Sequence, residues 1–233
     1  MAPTITLRLR RVIFIMTNRR AVIFANGTLP DPDAARRLLR EDDYWIAADG
    51  GSRHALACGR APDVLIGDLD SVPDTVRSTL LRAGTRLQTF PAEKDETDLE
   101  LAIGFALQEG CSILLILAGL GGRIDQTLAN VSLLTDPALR DCDIRIDDGR
   151  EEVIRVEGET VLHGAPEDVV SLLPWGIPAE GVSTAGLEYP LRGETLFPFR
   201  TRGVSNRMLG DEATVSVEKG MLLCIHTRSI YGK

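Results

Sequence analysis

Asp68 and Asp70 stand two apart in the run D-V-L-I-G-D-L-D-S at 63–71, where a short apolar strand is expected to end. Residues two apart on extended backbone share a face, with roughly 7 Å between their Cα atoms. Two carboxylates at that spacing can hold one hard cation between them. Asp95 and Asp98 follow, three apart, in F-P-A-E-K-D-E-T-D at 90–98. There Thr97 and Glu100 form a T-x-x-E capping box ahead of the apolar stripe Leu99, Ala102, Ile103, Ala106 and Leu107. Singly, each Asp also reads as a cap or a solvated turn residue. Together, at a strand end and a helix start, they suit a metal and a phosphate-bearing ligand, with Asp95 the member that reads as a helix-start residue.

A second stretch fits the same chemistry. Gly119-Leu-Gly-Gly-Arg-Ile-Asp125 lies between an apolar strand and a helix. Its backbone N–H groups suit an anion, and Arg123 offers a planar fork for phosphate. It is neither G-x-x-x-x-G-K-[ST] nor a well-formed G-x-G-x-x-G, and a tight strand-to-helix turn with Asp125 as N-cap explains it equally well. Magnesium takes one or two carboxylates plus substrate phosphates, a description Asp68 and Asp70 meet. Phosphoryl-type transfer then needs positioning and charge neutralisation. Asp98 stands where it can orient a hydroxyl, and Lys94 or Arg123 where either can neutralise developing charge. His54, His163 and His226 are isolated and read as surface or packing residues, so no nucleophilic triad is in view.

The elements that must position these residues alternate. Strands are expected at 21–25, 44–48, 64–66, 86–90, 113–118 and 144–146. Helices are expected through Ala34 to Leu39, after a Ser52 cap, around 75–82, at 98–108 with Gly110 just past its end, and at 124–134. Such alternation, with several strands apolar throughout, means a parallel sheet covered on both faces. In these sheets ligands lie beyond the carboxyl ends of the strands. Asn26-Gly27, Asp49-Gly50-Gly51, Asp68 with Asp70, and Gly119 to Asp125 all fall at such ends. After about Asp148 helical periodicity stops. Short strands at 152–156, 159–162, 169–173, 196–199, 214–217 and 221–226 predict an all-β part. The expected division is an N-terminal extension at 1–20, an α/β domain at 21–149 and a β domain at 150–233.

The chain has 233 residues, 44% of them hydrophobic and 26% charged, which is ordinary for a folded globular protein. A formal net charge of −8 argues against nucleic acid or an anionic membrane as partner. No apolar run is long enough to span a bilayer. Cys58, Cys111, Cys142 and Cys224 are scattered without a C-x-x-C pair and read as reduced thiols, which predicts a cytoplasmic setting. Residues 2–15 are basic and apolar ahead of Met16, too short in their apolar part for a signal peptide. They read as a mobile extension or as an upstream start.

Four motifs, A-D-G-G at 48–51, G-D-L-D-S at 67–71, K-D-E-T-D at 94–98 and G-G-R-I-D-Q at 121–126, resemble those of the thiamine pyrophosphokinase family in order and spacing. G-L-E-Y-P-L at 186–191 and G-V-S-N at 203–206 are similar to the same family, so the resemblance runs from 21 to 227. It implies transfer of the pyrophosphoryl group of ATP to the hydroxyl of thiamine, giving thiamine diphosphate and AMP. The implied fold is a Rossmann-like, three-layer ATP-binding domain followed by a β-sandwich thiamine-binding domain. The implied assembly is a homodimer with the active site between subunits. By motif, Asp68, Asp70 and Asp98 are expected to bind Mg2+. Asp49, Gly50, Gly51, Gly121, Gly122, Arg123 and Asp125, with the turn Asn26–Gly27, are expected to contact ATP. Asp98, Ser205 and Asn206 are expected to hold thiamine. The catalytic set is then Asp70, Lys94, Asp98 and Arg123, although some family members carry glutamine in place of Lys94. Trp45 and Trp175 fall in no motif and read as packing residues. The rivals are a pyrophosphokinase for another alcohol, such as a pterin, and a nucleotide-binding module without turnover.

Overall fold

The computed structural model describes residues 17–70 and 72–229. The expectations for residues 1–16 lie outside the described residues. β1 (Thr17–Phe24), β2 (Tyr44–Ala48), β3 (Val64–Gly67), β4 (Arg86–Thr89), β5 (Cys111–Leu117) and β6 (Asp143–Asp147) form one parallel sheet in the order β6-β5-β1-β2-β3-β4. The order reverses at β1, which lies between β5 and β2. β1 takes in Thr17 to Arg20, four residues that the sequence left in the extension. Their charge hides the strand, yet Arg20 is held in place by donating to the Leu38 carbonyl at 2.7 Å.

Alternation along β1 explains the layers. Ala21, Ile23 and Ala25 join a core with α4 (Asp98–Gln108), while Val22 and Phe24 join another with α2 (Ser52–Ala57) and α3 (Asp74–Arg82). A strand buried on both faces needs helices on both. Trp45 packs on Phe24 with ring centroids 4.9 Å apart and Arg60 lying over it, and Trp175 packs against the first core. α4 runs over the expected residues because Thr97 Oγ1 accepts the Glu100 N–H at 3.2 Å. α1 (Pro32–Arg36) is shorter than expected, since the chain turns at Arg37 before Leu38 and Leu39. Ser52 does not cap α2. A 3-10 turn at 49–51 leads directly into the helix, leaving Ser52 buried in its first turn.

Beyond β6 only strands follow among the described residues. β7 (Glu151–His163) and β12 (Glu212–Thr227) pair along their lengths, where the sequence suggested two short strands each. Gly158 at φ 82° and the residues between Val217 and Leu222 bend the ladder without ending it. β12 pairs with β9 (Ala179–Ala185) through its first half and with β8 (Val169–Pro174) through its second. Side chains from both halves share one apolar core with Leu172, Val182 and Met208. The strand expected at 196–199 is instead the end of β10 (Arg192–Leu196) followed by a turn at Pro198. β9 itself carries too little β-branched alternation to be visible in sequence. β7 runs antiparallel to β6, so the sheet is continuous. No helix of the described residues is long and apolar enough to cross a membrane.

A charged cluster braces this part. His226 is fully buried, with Nε2 2.8 Å from Asp168 Oδ2 and Nδ1 3.7 Å from Glu152 Oε2. Burial opposes the imidazolium, but Glu152 and Asp168 outweigh it and raise its pKa. A His whose folded pKa is raised stabilises the fold fully below its unfolded value, about 6.5, and this contribution disappears as pH rises through the folded value. Denaturant unfolding from pH 6 to 9 should therefore show a fall in stability that His226→Gln removes. An equal fall in both proteins would refute the assignment.

Candidate active site

The C-terminal ends of β1, β2, β3 and β5 open on one edge of the sheet, into a cleft of about 630 Å³. Among the residues expected from sequence, Asn26, Gly27, Asp49, Asp68, Lys94, Asp98, Gly121, Gly122 and Arg123 line it. The others lie elsewhere, each for a local reason.

The carboxylates converge by a route other than extended backbone. Leu69 is buried and left-handed at φ 64°, so the chain turns between Asp68 and Asp70. The Asp70 N–H donates to Asp68 Oδ1 at 3.1 Å. Parallel pairing of Ala48 with Ile66 brings the end of β2 beside that of β3. Asp49 thereby joins Asp68 and Asp70, with ligand oxygens of all three within 4.8 Å of one another. Asp98 stands just outside this trio and accepts from Lys94 Nζ at 2.7 Å. Gly67 lies between: a Cβ there would sit 3.2 Å from Asp49 Cβ and 3.3 Å from Asp98 Cγ. Asp95 is exposed in a bend before Thr97 and lies outside the helix that begins at Asp98.

Two loops form the facing wall. The Gly27 N–H donates to the Ala118 carbonyl and the Thr28 N–H to the Leu120 carbonyl, each at 2.9 Å. A side chain at Gly27 would collide with both of those carbonyls, which is why the approach requires glycine there. Arg53 and His54, in the first turn of α2, reach back to the same turn. His54 Nε2 lies 3.0 Å from the Gly27 carbonyl. Burial lowers the His54 pKa, so a neutral ring with its proton on Nε2 makes that bond. Gly50 and Gly51 are buried beneath the turn, against the Asn26 side chain and the Phe24 carbonyl, and do not line the cleft.

On the loop from β5 to α5 (Ile124–Leu133), Gly121 and Gly122 are left-handed at φ 75° and 73°. Asn130, buried in α5, donates to the Gly119 carbonyl at 2.8 Å and fixes the base of the loop. Arg123 occupies the N-cap position without a side-chain cap bond, and Asp125 lies in the first turn. Asp125 accepts from Arg123 Nε at 3.1 Å and Nη2 at 2.5 Å, both side chains being exposed. This pairing pushes the Arg123 pKa up and the Asp125 pKa down.

Ser205 and Asn206 do not line the cleft. The Asn206 amide bridges both backbone groups of Tyr189, donating to its carbonyl at 2.7 Å and accepting its N–H at 3.0 Å. Ser205 is left-handed at φ 61°, with its N–H on Ser171 Oγ at 3.0 Å. Arg53, Thr28, Thr97, Gln126 and Asn130 line the cleft without having been expected. Arg53 was discoverable, because helical side chains lean toward the N-terminus and α2 begins at this edge.

The family model described as thiamin pyrophosphokinase, catalytic domain, matches residues 35–146, and that described as thiamin pyrophosphokinase, vitamin B1 binding domain, matches residues 153–222. The chain is 30% identical over 189 residues to a thiamine pyrophosphokinase of Bacillus subtilis, covering 80% of this chain and 88% of that one. The fold is similar to a crystal structure of a thiamine pyrophosphokinase from Bacillus subtilis, with a TM-score of 0.81 at 27% identity over 90% of this chain and 99% of that one. A Geobacillus thermodenitrificans thiamin pyrophosphokinase matches with a TM-score of 0.75, also at 27% identity, over 89% and 97%.

Proposed function

Because the chain belongs to the thiamine pyrophosphokinase family, we propose that it transfers the pyrophosphoryl group of ATP to the hydroxyl of thiamine in the cleft at the strand ends. The products are thiamine diphosphate and AMP. The observation that carries the reading is the convergence of Asp49 and Asp68 in one cleft with the Gly121–Arg123 loop, with a carboxylate oxygen of Asp70 within 4.8 Å of theirs.

Three hard carboxylate donors, without sulfur or imidazole, fit magnesium. Asp49, Asp68 and Asp70 would hold the ion, with Asp98 alongside. Bound there, it neutralises charge on the transferring phosphoryl groups. The residues of the chain supply the rest. Asp98, held by Lys94, orients the acceptor hydroxyl. The hydroxyl oxygen bonds to the β-phosphorus as the bond to the α,β-bridging oxygen breaks, and AMP leaves with that oxygen. The hydroxyl proton passes to a cleft carboxylate. Gly121, Gly122 and Arg123 receive the phosphates through backbone N–H groups and a guanidinium that Asp125 steadies. Gly50 and Gly51 act from beneath, Gly50 by letting the Asn26 side chain approach and Gly51 by letting the Phe24 carbonyl approach.

The division into an ATP-binding domain at 21–149 and a β-sandwich thiamine-binding domain at 150–233 belongs to this reading. No described residue beyond Asn130 lines the cleft, although the vitamin B1 binding match covers 153–222. A homodimer, in which the second copy brings Ser205 and Asn206 toward thiamine, accounts for that separation. Exposed Tyr189, whose backbone Asn206 holds, and exposed Leu209, three residues on from Asn206, favour such a contact. Four unpaired cysteines accord with a cytoplasmic setting.

Incubation with ATP, Mg2+ and thiamine should release AMP and thiamine diphosphate. A pterin alcohol that reacts where thiamine does not would replace this reading. Sedimentation should give a species of twice the chain mass; a monomer active at every concentration would rule out the shared site.

A further inference from the structure

We propose that Arg53 anchors the phosphate chain of the bound nucleotide, as the uncompensated cation of the cleft. The inference rests on the cleft being the ATP site. Among the described residues, three cationic side chains line it: Arg53, Lys94 and Arg123. Lys94 is paired with Asp98 at 2.7 Å, and Arg123 with Asp125 at 2.5 Å. Arg53 differs, because its partners are neutral oxygens. Nη1 donates to Asn26 Oδ1 at 2.6 Å, and Nη2 to the Asn26 and Gly27 carbonyls at 3.2 Å each. Its charge is therefore not cancelled by any carboxylate among the described residues.

Geometry adds to charge. A guanidinium has five N–H donors in a fixed plane, and three are engaged by the Asn26–Gly27 turn. The Nε–H and one Nη1–H remain, on different edges of a plane whose orientation is already set, so little further ordering is needed for either to receive a phosphate oxygen. The turn that holds Arg53 is itself tied to the Ala118–Leu120 segment. The fork and the glycine loop therefore form one rigid unit on the same wall. The other charged residues lining the cleft, Asp49, Asp68, Glu96 and Asp98 against Lys94 and Arg123, leave it net negative. A polyanion entering it meets in Arg53 a cation that need not first leave a carboxylate.

The test is direct calorimetric binding of ATP, AMP and adenosine to the full chain and to Arg53→Gln and Arg53→Lys, with thermal unfolding to verify the fold. Charge-assisted hydrogen bonds of this kind predict that Arg53→Gln weakens ATP about 10- to 100-fold. AMP should weaken less and adenosine less than about twofold, while Arg53→Lys recovers most of the ATP affinity. Equal losses for ATP and adenosine, unrescued by lysine, would mean that Arg53 only braces the Asn26–Gly27 turn. Unchanged ATP affinity in folded Arg53→Gln would also overturn the proposal. Binding is read without turnover, so wild-type protein that binds ATP but makes no thiamine diphosphate refutes the proposed reaction and leaves this inference standing.

Discussion

Asp70→Asn should reduce AMP release from ATP, Mg2+ and thiamine by about a thousandfold, the scale of losing a directly engaged charged group in a transfer site. Asp70 is exposed and contributes an oxygen to the cluster with Asp49 and Asp68. The substitution keeps the shape of the side chain and removes its charge, so circular dichroism and thermal unfolding should be unchanged. Residual activity should demand more Mg2+ than the wild type, because one anionic ligand of the set is gone. Near-normal turnover at ordinary Mg2+ would refute the metal assignment of this cluster.

Gly67→Ala should damage both fold and activity. Gly67 holds φ 147°, a region open almost only to glycine, and a Cβ there would press on Asp49 and on the Asp98 carboxylate. Backbone strain of this kind costs about 1–3 kcal/mol. Displacing both carboxylates by even a few tenths of an ångström should lower turnover about a hundredfold, since misplacement on the ångström scale carries that penalty. The discriminating measurement is turnover well below the melting temperature, where the variant is folded. Full activity there would mean that the spacing between Asp49 and Asp98 does not matter to the reaction.

The sequence disclosed most where local rules and topology agree. α4 matched to the residue because a capping box and an apolar stripe define the same helix. Asp68 and Asp70 were found together, but for an incomplete reason: the left-handed Leu69, pulled into the core, converges them in place of an extended strand. Asp49 was expected at ATP by motif; its proximity to Asp68 arises only when β2 and β3 pair in register, which no linear spacing encodes. Gly50 and Gly51 were expected at ATP by motif, because glycine that admits a neighbouring protein group and glycine that admits a ligand read alike. β7 and β12 were each split in two since a polar glycine bend inside a paired strand looks like an end.

The seam between β6 and β7 has a mechanical consequence. Arg145, Ile146 and Asp147 pair with Ile154, Val153 and Glu152, and Arg228 clamps Asp147 through both Nη atoms at 2.8 and 2.7 Å. Arg145 adds a bond to Glu152 across the same seam at 2.7 Å. Bending the chain there would break a backbone ladder and two ion pairs together, so no soft hinge separates its halves. Substrate entry and product exit must then be served by short loops around the cleft, chiefly 91–97 and 119–123. Amide exchange should accordingly be fast in those segments and slow across the seam, with the sheet opening as a single board.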